Sequence, residues 1–240
     1  MRLTVPCLFG LESLVADEMK RLDLKDVHAE NGRVHCEGSL ADIARLNISL
    51  RCGARVLMEL GSFPAPDFEA LFQGVATLPW EDYIPREGEF PVKGWSLNSR
   101  LHSVPACQAI VKKAAAKRLG AAYGLETLPE SGSRYQIQFA IVKDIATLYL
   151  DTSGEGLYKR GYRARNMGAP LRETLAAALV KLSRYRGKDP FCDPFCGSGT
   201  IPIEAALIAK NRAPGLDRSF AAQKWRNMDS RLWLDAADEA

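Results

Sequence analysis

The most informative stretch of this chain reads Asp193-Pro194-Phe195-Cys196-Gly197-Ser198-Gly199-Thr200. It follows a very short apolar segment, residues 190–192, and leads directly into a helix-like run, residues 201–210. An acidic residue at a strand end, followed by Gly-x-Gly and a helix, is typical of an α/β sheet that cradles a nucleotide-like ligand. The glycines let the backbone approach a ligand closely, and the helix N-terminus offers unpaired N–H groups. The stretch lacks Gly-x-Gly-x-x-Gly and Gly-Lys-Ser/Thr, which argues against a dinucleotide site and a phosphate loop.

Two further segments precede this stretch in a fixed order. They read Tyr158-Lys159-Arg160-Gly161-Tyr162-Arg163 and Ala169-Pro170-Leu171-Arg172-Glu173-Thr174. The stretch at 193–200 resembles motif I of class I S-adenosylmethionine-dependent methyltransferases. The ordered set of three resembles the THUMP-domain ribosomal RNA methyltransferases, whose bacterial members are often labelled N6-adenine-specific DNA methylases. The resemblance covers essentially the whole chain and is sharpest from Gly156 to Trp225.

The resemblance implies which residues hold S-adenosylmethionine. It places the eight residues 193–200 beside the cofactor, with Asp193 at the end of the first strand of the methyltransferase sheet. It also implies that Leu171, Arg172 and Glu173, which precede that strand, cover the methionine end. Thr200 is expected to cap the helix that follows, and Pro170 to lie in the first turn of a helix that runs to residue 185. A strand–turn–helix corner without a ligand remains the alternative.

Composition indicates a globular protein, since 47% of the residues are hydrophobic and 25% are charged. There is no apolar run long enough to cross a membrane and no signal-peptide core, so we expect a cytoplasmic protein. Six scattered cysteines without a Cys-x-x-Cys motif indicate reduced thiols. His28, His35 and His102 show no metal-ligand spacing, and we expect no metal site.

Charge is unevenly distributed along the chain. The net charge is −6 over residues 1–90, +7 over residues 91–165 and +2 over residues 166–240. A basic middle segment indicates contact with a polyanion, and the resemblance identifies that polyanion as structured RNA. The candidate RNA-binding residues are Lys93, Arg100, Lys112, Lys113, Lys117, Arg118, Lys159, Arg160, Arg163 and Arg165. A solvated basic face is the alternative.

Periodicity predicts an α/β protein whose N-terminal part is α+β. Residues 1–60 follow the order β-α-β-β-α-β of a ferredoxin-like unit. Residues 61–155 resemble a THUMP RNA-binding domain, residues 156–165 form a connector, and residues 166–240 begin a Rossmann-like methyltransferase domain.

The methyltransferase unit looks incomplete, because a doubly wound domain needs roughly 100–200 residues. No carboxylate for the cofactor ribose and no Asn/Asp-Pro-Pro-aromatic loop for the target base can be identified, so no catalytic residue is named. The resemblance favours methyl transfer to guanine N2 of large-subunit ribosomal RNA by a longer parent enzyme. The alternatives are a DNA adenine-N6 methyltransferase and a non-catalytic RNA-binding fragment. We expect the 240-residue chain alone to transfer no methyl group.

Overall fold

The computed structural model of the chain describes residues 1–163 and 170–240. The predicted mixed α/β architecture is confirmed. The strands are β1 (Arg2–Pro6), β2 (Lys25–Glu30), β3 (Arg33–Glu37), β4 (Leu57–Pro64), β5 (Val92–Leu97), β6 (Ile137–Val142) and β7 (Ile145–Asp151). The helices are α1 (Glu12–Arg21), α2 (Leu40–Ser49), α3 (Phe68–Thr77), α4 (Val104–Tyr123), α5 (Glu173–Leu182), α6 (Thr200–Ala209) and α7 (Ser230–Asp238). No described helix is both long enough and apolar enough to cross a membrane.

The seven strands form one sheet in the order β2-β3-β1-β4-β7-β6-β5. The neighbours β5 and β6 are parallel, and the other neighbouring pairs are antiparallel. The first four strands and two helices follow the predicted β-α-β-β-α-β order. Because β4 pairs with β7 from Leu57–Asp151 to Pro64–Ile145, the first 151 residues share one continuous sheet.

The core lies between this sheet and its helices. Helix α1 packs on β2 and β3, α3 on β4, and α4 on β5. Alternate strand residues such as Leu3 and Phe139 are buried against helix residues such as Met19 and Val111, as the two-residue period of a strand requires. Caps fix where two of the helices begin. Ser39 and Asp42 form a reciprocal capping box at α2, and Asp67 accepts the backbone N–H of Ala70 at α3.

The opposite face of the sheet is curled. The Arg33 guanidinium on β3 lies 5.4 Å from the centroid of the Trp95 ring on β5, although four strands separate these two in the sheet order. Leu57, Ala140 and Tyr149 form a small separate apolar cluster on this face. Lys93 and Trp95 are exposed on β5, whereas α4 lies against the other side.

The chain after β7 packs back onto the N-terminal sheet domain. Helix α7 lies against α2, and the Trp225 ring stacks on Tyr135 with ring centroids 5.0 Å apart. The Trp225 indole N–H donates to the carbonyl of Arg134 at 3.0 Å. The C-terminal segment is therefore anchored at two separate places on the sheet domain.

Two predictions about this C-terminal part are wrong. Residues 190–193 do not form a strand, because no described segment beside them takes up their backbone hydrogen bonds and a strand exists only through its neighbour. The bounds of the following helix also differ. Pro170 was expected in its first turn, but the helix begins only at Glu173, because Arg172 at the N-cap has an extended backbone. It was expected to reach residue 185, but it ends at Leu182, since Arg184 adopts a positive φ of 61° that a right-handed helix does not contain.

Candidate cofactor and nucleic-acid site

The loop at 193–200 is a sharp, exposed turn. The Asp193 carboxylate accepts the backbone N–H of Phe195 at 3.1 Å, and the Phe195 side chain is 93% exposed. Gly197 and Gly199 have φ values of +53° and +75°, a region that glycine occupies without steric cost. The loop therefore presents its backbone, together with the half-buried Asp193 carboxylate, at an accessible surface.

The space beside Gly197 is open with respect to the described residues. Among residues 1–163 and 170–240, no atom lies within 4 Å of a Cβ placed on Gly197. The first N–H groups of α6 follow directly, because Gly199 is the residue that precedes the helix. This geometry fits the close approach of a ligand to bare backbone.

Thr200 does not cap α6 as predicted. Gly199 holds the capping position in a left-handed conformation, and Thr200 is the first residue of the helix. The Thr200 hydroxyl instead accepts a hydrogen bond from the Arg163 guanidinium at 2.6 Å. The helix end is thus held by an arginine from the connector.

Arg163 ties the two predicted cofactor segments together. Its guanidinium donates to the Glu173 carboxylate, to the carbonyl of Leu171 at 3.1 Å and to Ser198 Oγ at 3.3 Å, besides Thr200. Its side chain is only 20% exposed. The donors of Arg163 are used inside the protein, which favours a structural role over the predicted contact with RNA phosphate.

The segment before α5 supplies the other wall of the site. Glu173 is 5% exposed, Leu171 is half-buried and Arg172 is exposed. The Arg172 guanidinium lies 5.3 Å from the centroid of the Tyr158 ring, a cation–π distance. The structure thus brings residues 171–173 to Arg163, which also contacts the 193–200 loop.

Arg160 was also predicted to bind RNA, and the structure contradicts this. It is 3% exposed and lies 3.3 Å from the Glu204 carboxylate of α6, to which the Tyr162 hydroxyl also donates at 3.1 Å. Burial raises the pKa of Glu204, and the charge and hydrogen bond of Arg160 lower it only in part. Arg160 therefore anchors the connector to α6.

A basic groove leads to this site from the sheet domain. One cavity of about 360 Å³ is lined by Arg55, Lys93, Arg134, Gln136, Gly154, Glu155, Gly156, Tyr158, Lys159 and Ala221. A second, of about 890 Å³, shares Glu155, Tyr158 and Lys159 with the first and extends to Arg163, Arg172 and Glu173. The two cavities therefore adjoin, because these three residues line both.

Of the predicted RNA-binding residues, Lys93 and Lys159 line the first cavity, and Lys159, Arg160 and Arg163 line the second. Sequence reasoning missed Arg55, Arg134 and Arg218. Arg134 stands in the basic segment of the sequence, but only its position opposite Lys93 in the folded chain distinguishes it from other bases.

The remaining basic candidates lie elsewhere. Lys112 contacts Glu130 at 2.6 Å, and Arg118 forms a two-pronged ion pair with Glu81. Lys113 and Lys117 are exposed on α4, which packs on the face of β5 opposite Lys93. Arg100 is exposed, with Asp144 at 3.6 Å. Arg165 lies outside the described residues.

Three family models match consecutive parts of the chain. The RlmL ferredoxin-like domain matches residues 2–57, the THUMP domain residues 65–151, and the RMKL-like methyltransferase domain residues 160–238. Along its length the chain is therefore similar to proteins that join a THUMP domain to an RMKL-like methyltransferase domain. The Arg163 network and the 193–200 loop both fall within the residues that match the methyltransferase model.

Relatives extend this match over nearly the whole chain. The Bacillus subtilis protein YpsC, named as a candidate RNA methyltransferase, is 45% identical over 229 residues, which are 95% of this chain and 59% of YpsC. The ribosomal RNA large subunit methyltransferase K/L of Magnetococcus marinus is 35% identical over 239 residues, which are 96% of this chain and 33% of that protein.

Solved structures share the fold. A Listeria monocytogenes protein described as a predicted N6-adenine-specific DNA methylase matches all of the chain with a TM-score of 0.95 and 48% identity. SMU.472, a candidate methyltransferase complexed with SAH, matches 99% of the chain with a TM-score of 0.93 and 42% identity. The chain spans 63% of each of these two structures, and so only part of the length of its relatives.

Proposed function

We propose that this chain forms the RNA-binding and cofactor-binding part of an S-adenosylmethionine-dependent RNA methyltransferase. The observation that carries the proposal is the Arg163 network. Arg163 contacts Ser198 and Thr200 of the loop and also residues 171 and 173, which line the larger of two adjoining basic cavities. A cofactor site and a path for a polyanion therefore meet at one place.

The residues present fit the cofactor. Gly197 and Gly199 leave backbone space, and the Asp193 carboxylate supplies hydrogen-bond acceptors. Leu171 offers a half-buried apolar wall beside Glu173. Bound S-adenosylmethionine would supply an electrophilic methyl group on its sulfonium. The chain itself holds both walls in place through Arg163, and such positioning is a main source of rate acceleration in transfer reactions.

The groove fits an RNA strand. Lys93, Arg134 and Lys159 line it and would neutralise phosphates, which gives affinity independent of sequence. Tyr158 lies where the two cavities join, and aromatic rings in such grooves stack bases. A base drawn from its stack would enter the larger cavity toward the 193–200 loop.

The finer identity of the substrate is also part of the proposal. The name of the Magnetococcus marinus relative supports large-subunit ribosomal RNA, and guanine N2 is the target nitrogen we infer. A cytoplasmic location follows from that substrate and agrees with six free cysteines. DNA is the second candidate substrate, because the Listeria structure is described as a DNA methylase.

A chimera tests the function. The chain replaces its matching 229 residues in YpsC, and methyl transfer from labelled S-adenosylmethionine is measured on unmodified large-subunit ribosomal RNA and on DNA of the same sequence. We expect label in RNA alone, at N2 of guanine. Label in DNA adenine would support the second candidate, and no label in either would remove the proposal if unaltered YpsC is active in the same assay.

A further inference from the structure

A second cluster of side chains, one that could bind a metal ion, lies at the β2–β3 edge of the sheet. It consists of His28, Glu30 and His35. One ligand atom from each of His28, Glu30 and His35 lies within 4.8 Å of the others. The linear spacing of the histidines gave no sign of this. His28 and His35 face each other across the strand pair, and Glu30 is two residues from His28 and so shares its face.

The buried member of the cluster has a free nitrogen. The His35 side chain is 4% exposed, and its Nε2 atom makes no hydrogen bond to any residue that the structure describes. Glu30 Oε2 lies 3.4 Å from this nitrogen. A buried polar atom without a hydrogen bond costs stability, so its persistence here points to a ligand.

The Nδ1 atom of each imidazole has a hydrogen-bond partner, and this arrangement suits metal binding through Nε2. His35 Nδ1 lies 2.9 Å from Thr4 Oγ1, and His28 Nδ1 lies 3.1 Å from the carbonyl of Asp26. A proton on each Nδ1 leaves an acceptor lone pair on each Nε2, as in metal sites where a second partner fixes the tautomer. The lone pair of His28 Nε2 accepts from Arg2 at 3.4 Å, and a metal would take the place of this hydrogen bond.

We propose that His28, Glu30 and His35 bind one divalent transition-metal ion of the zinc class. Two imidazole nitrogens and one carboxylate oxygen form a donor set that zinc prefers and that magnesium and calcium do not. Zinc–ligand distances are about 2.0–2.2 Å, so the three donors would close slightly around the ion.

Two arginines face the site, Arg2 beside His28 and Arg33 directly opposite Glu30 in the strand pair. Arg2 makes the closer contact with a ligand of the cluster. Its Nη2 atom lies 3.4 Å from His28 Nε2, and its Nε atom lies 3.5 Å from Glu59. When His28 turns to the metal, Arg2 keeps Glu59 as its anionic partner. The nearby carboxylates of Glu37 and Glu59 offset the added charge.

The bound ion would fasten an edge strand. Five of the six β2 residues are exposed, and β2 pairs only with β3 among the described strands. A metal that binds the folded protein shifts the folding equilibrium by mass action. Zinc is therefore expected to raise the melting temperature.

Cobalt(II) titration tests the site, because its visible absorption reports tetrahedral nitrogen and oxygen ligands. The background is Cys192→Ser/Cys196→Ser, since both of these thiols are exposed and would compete. We expect one equivalent to bind. His28→Gln and Glu30→Gln should each weaken binding by about tenfold or more, since even loss of an outer-shell partner costs 10–100-fold.

His102→Gln is the matched control, because His102 is exposed and outside the cluster. It should leave cobalt affinity and the zinc-induced rise in melting temperature unchanged. Both altered ligands are exposed, so the variants should fold, and circular dichroism checks this. If cobalt does not bind the background protein, or if His28→Gln binds as tightly as His102→Gln, the proposal is wrong.

Discussion

Arg163 shows at the scale of one residue how a role depends on distant partners. In sequence it is one of four bases in a ten-residue run and resembles a phosphate contact. In the structure its acceptors come from Leu171, Glu173, Ser198 and Thr200, between 8 and 37 positions further on. A local pattern does not contain these distances, so the sequence could identify the base but not its function.

Substitution of Arg163 should weaken cofactor binding. Hydrogen bonds to charged groups contribute about 1.5–3 kcal/mol each, so we expect Arg163→Gln to lower S-adenosylhomocysteine affinity by about tenfold or more in the chimera. Arg163→Lys should recover little, because an ammonium lacks the planar fork of a guanidinium.

Calorimetry measures these affinities, with Arg45→Gln as the control. Arg45 is similarly half-buried and pairs with Asp42 and Glu239, away from the loop. An Arg163→Gln protein that binds as tightly as Arg45→Gln would show that the network does not support the cofactor site.

Gly197 tests the loop itself. Valine at this position would enter a left-handed backbone region that β-branched residues avoid and would fill the open space beside the loop. Gly197→Val should therefore abolish measurable S-adenosylhomocysteine binding by the chimera in calorimetry.

Gly124→Val separates ligand exclusion from backbone strain. Gly124 has a φ of +64° and likewise has nothing within 4 Å of a Cβ, but it ends helix α4. Both variants should lose similar stability, and only Gly197→Val should lose binding. Equal binding by the two would remove the loop from the cofactor site.

At the scale of elements, helix α6 is joined to the connector through a buried carboxylate. Glu204 is fully buried beside Arg160 and Tyr162. Burial raises the pKa of Glu204 above its ordinary value of 4.5. The folded state therefore holds this proton more tightly than the unfolded state. The stability that this group contributes is complete below about pH 4.5 and is lost as pH rises through the raised pKa.

Glu204→Gln should remove this pH dependence. The difference in unfolding free energy, variant minus wild type, should increase as pH rises from 4.5 toward neutrality. Urea denaturation at several pH values measures it. Glu155→Gln is the control. Lys159 lowers the pKa of the exposed Glu155, so its contribution changes only below about pH 4.5, and the difference for this variant should stay flat above that pH. If the difference in unfolding free energy for Glu204→Gln does not change with pH, burial does not raise the pKa of Glu204.

The elements that sequence predicted well are those with strong local signals. The strand and helix order of the first 60 residues and the hairpin at Lys143–Asp144 follow from apolar periods and turn residues. The strand predicted before Asp193 does not form, because a strand depends on hydrogen bonds to a neighbouring strand. The prediction that Thr200 caps α6 is wrong, because Gly199 takes the capping position in a left-handed conformation. Residue propensities do not specify this conformation. His28 and His35 lie opposite each other only because β2 pairs with β3, and their spacing in the sequence does not show this.

At the scale of the whole molecule, the basic candidates divide between two faces. Lys93 and Lys159 line the groove together with Arg134, whereas Lys113 and Lys117 lie on α4. The positive charge of residues 91–165 predicted contact with a polyanion. Only the folded structure shows which of the basic residues line the same groove.

Substitutions on the two faces should affect RNA affinity differently. The triple variant Lys93→Gln/Arg134→Gln/Lys159→Gln should bind RNA more weakly whatever its sequence, because phosphate contacts position without identifying bases. Each lost contact should reduce the salt slope of log K by about 0.7 for a single strand. Lys113→Gln/Lys117→Gln should change neither. Filter binding at several salt concentrations checks this, and the reverse result would place the RNA on α4.

The most direct test of the account maps the cofactor on the chain. The chimera is cross-linked by ultraviolet light to methyl-labelled S-adenosylmethionine, digested with trypsin, and its labelled peptides are identified by mass spectrometry. We predict label in the peptide of residues 189–210, which contains the whole Gly197–Gly199 loop, and less label after Arg163→Gln. Label confined to peptides outside residues 171–210 would contradict the central claim that this loop holds the cofactor.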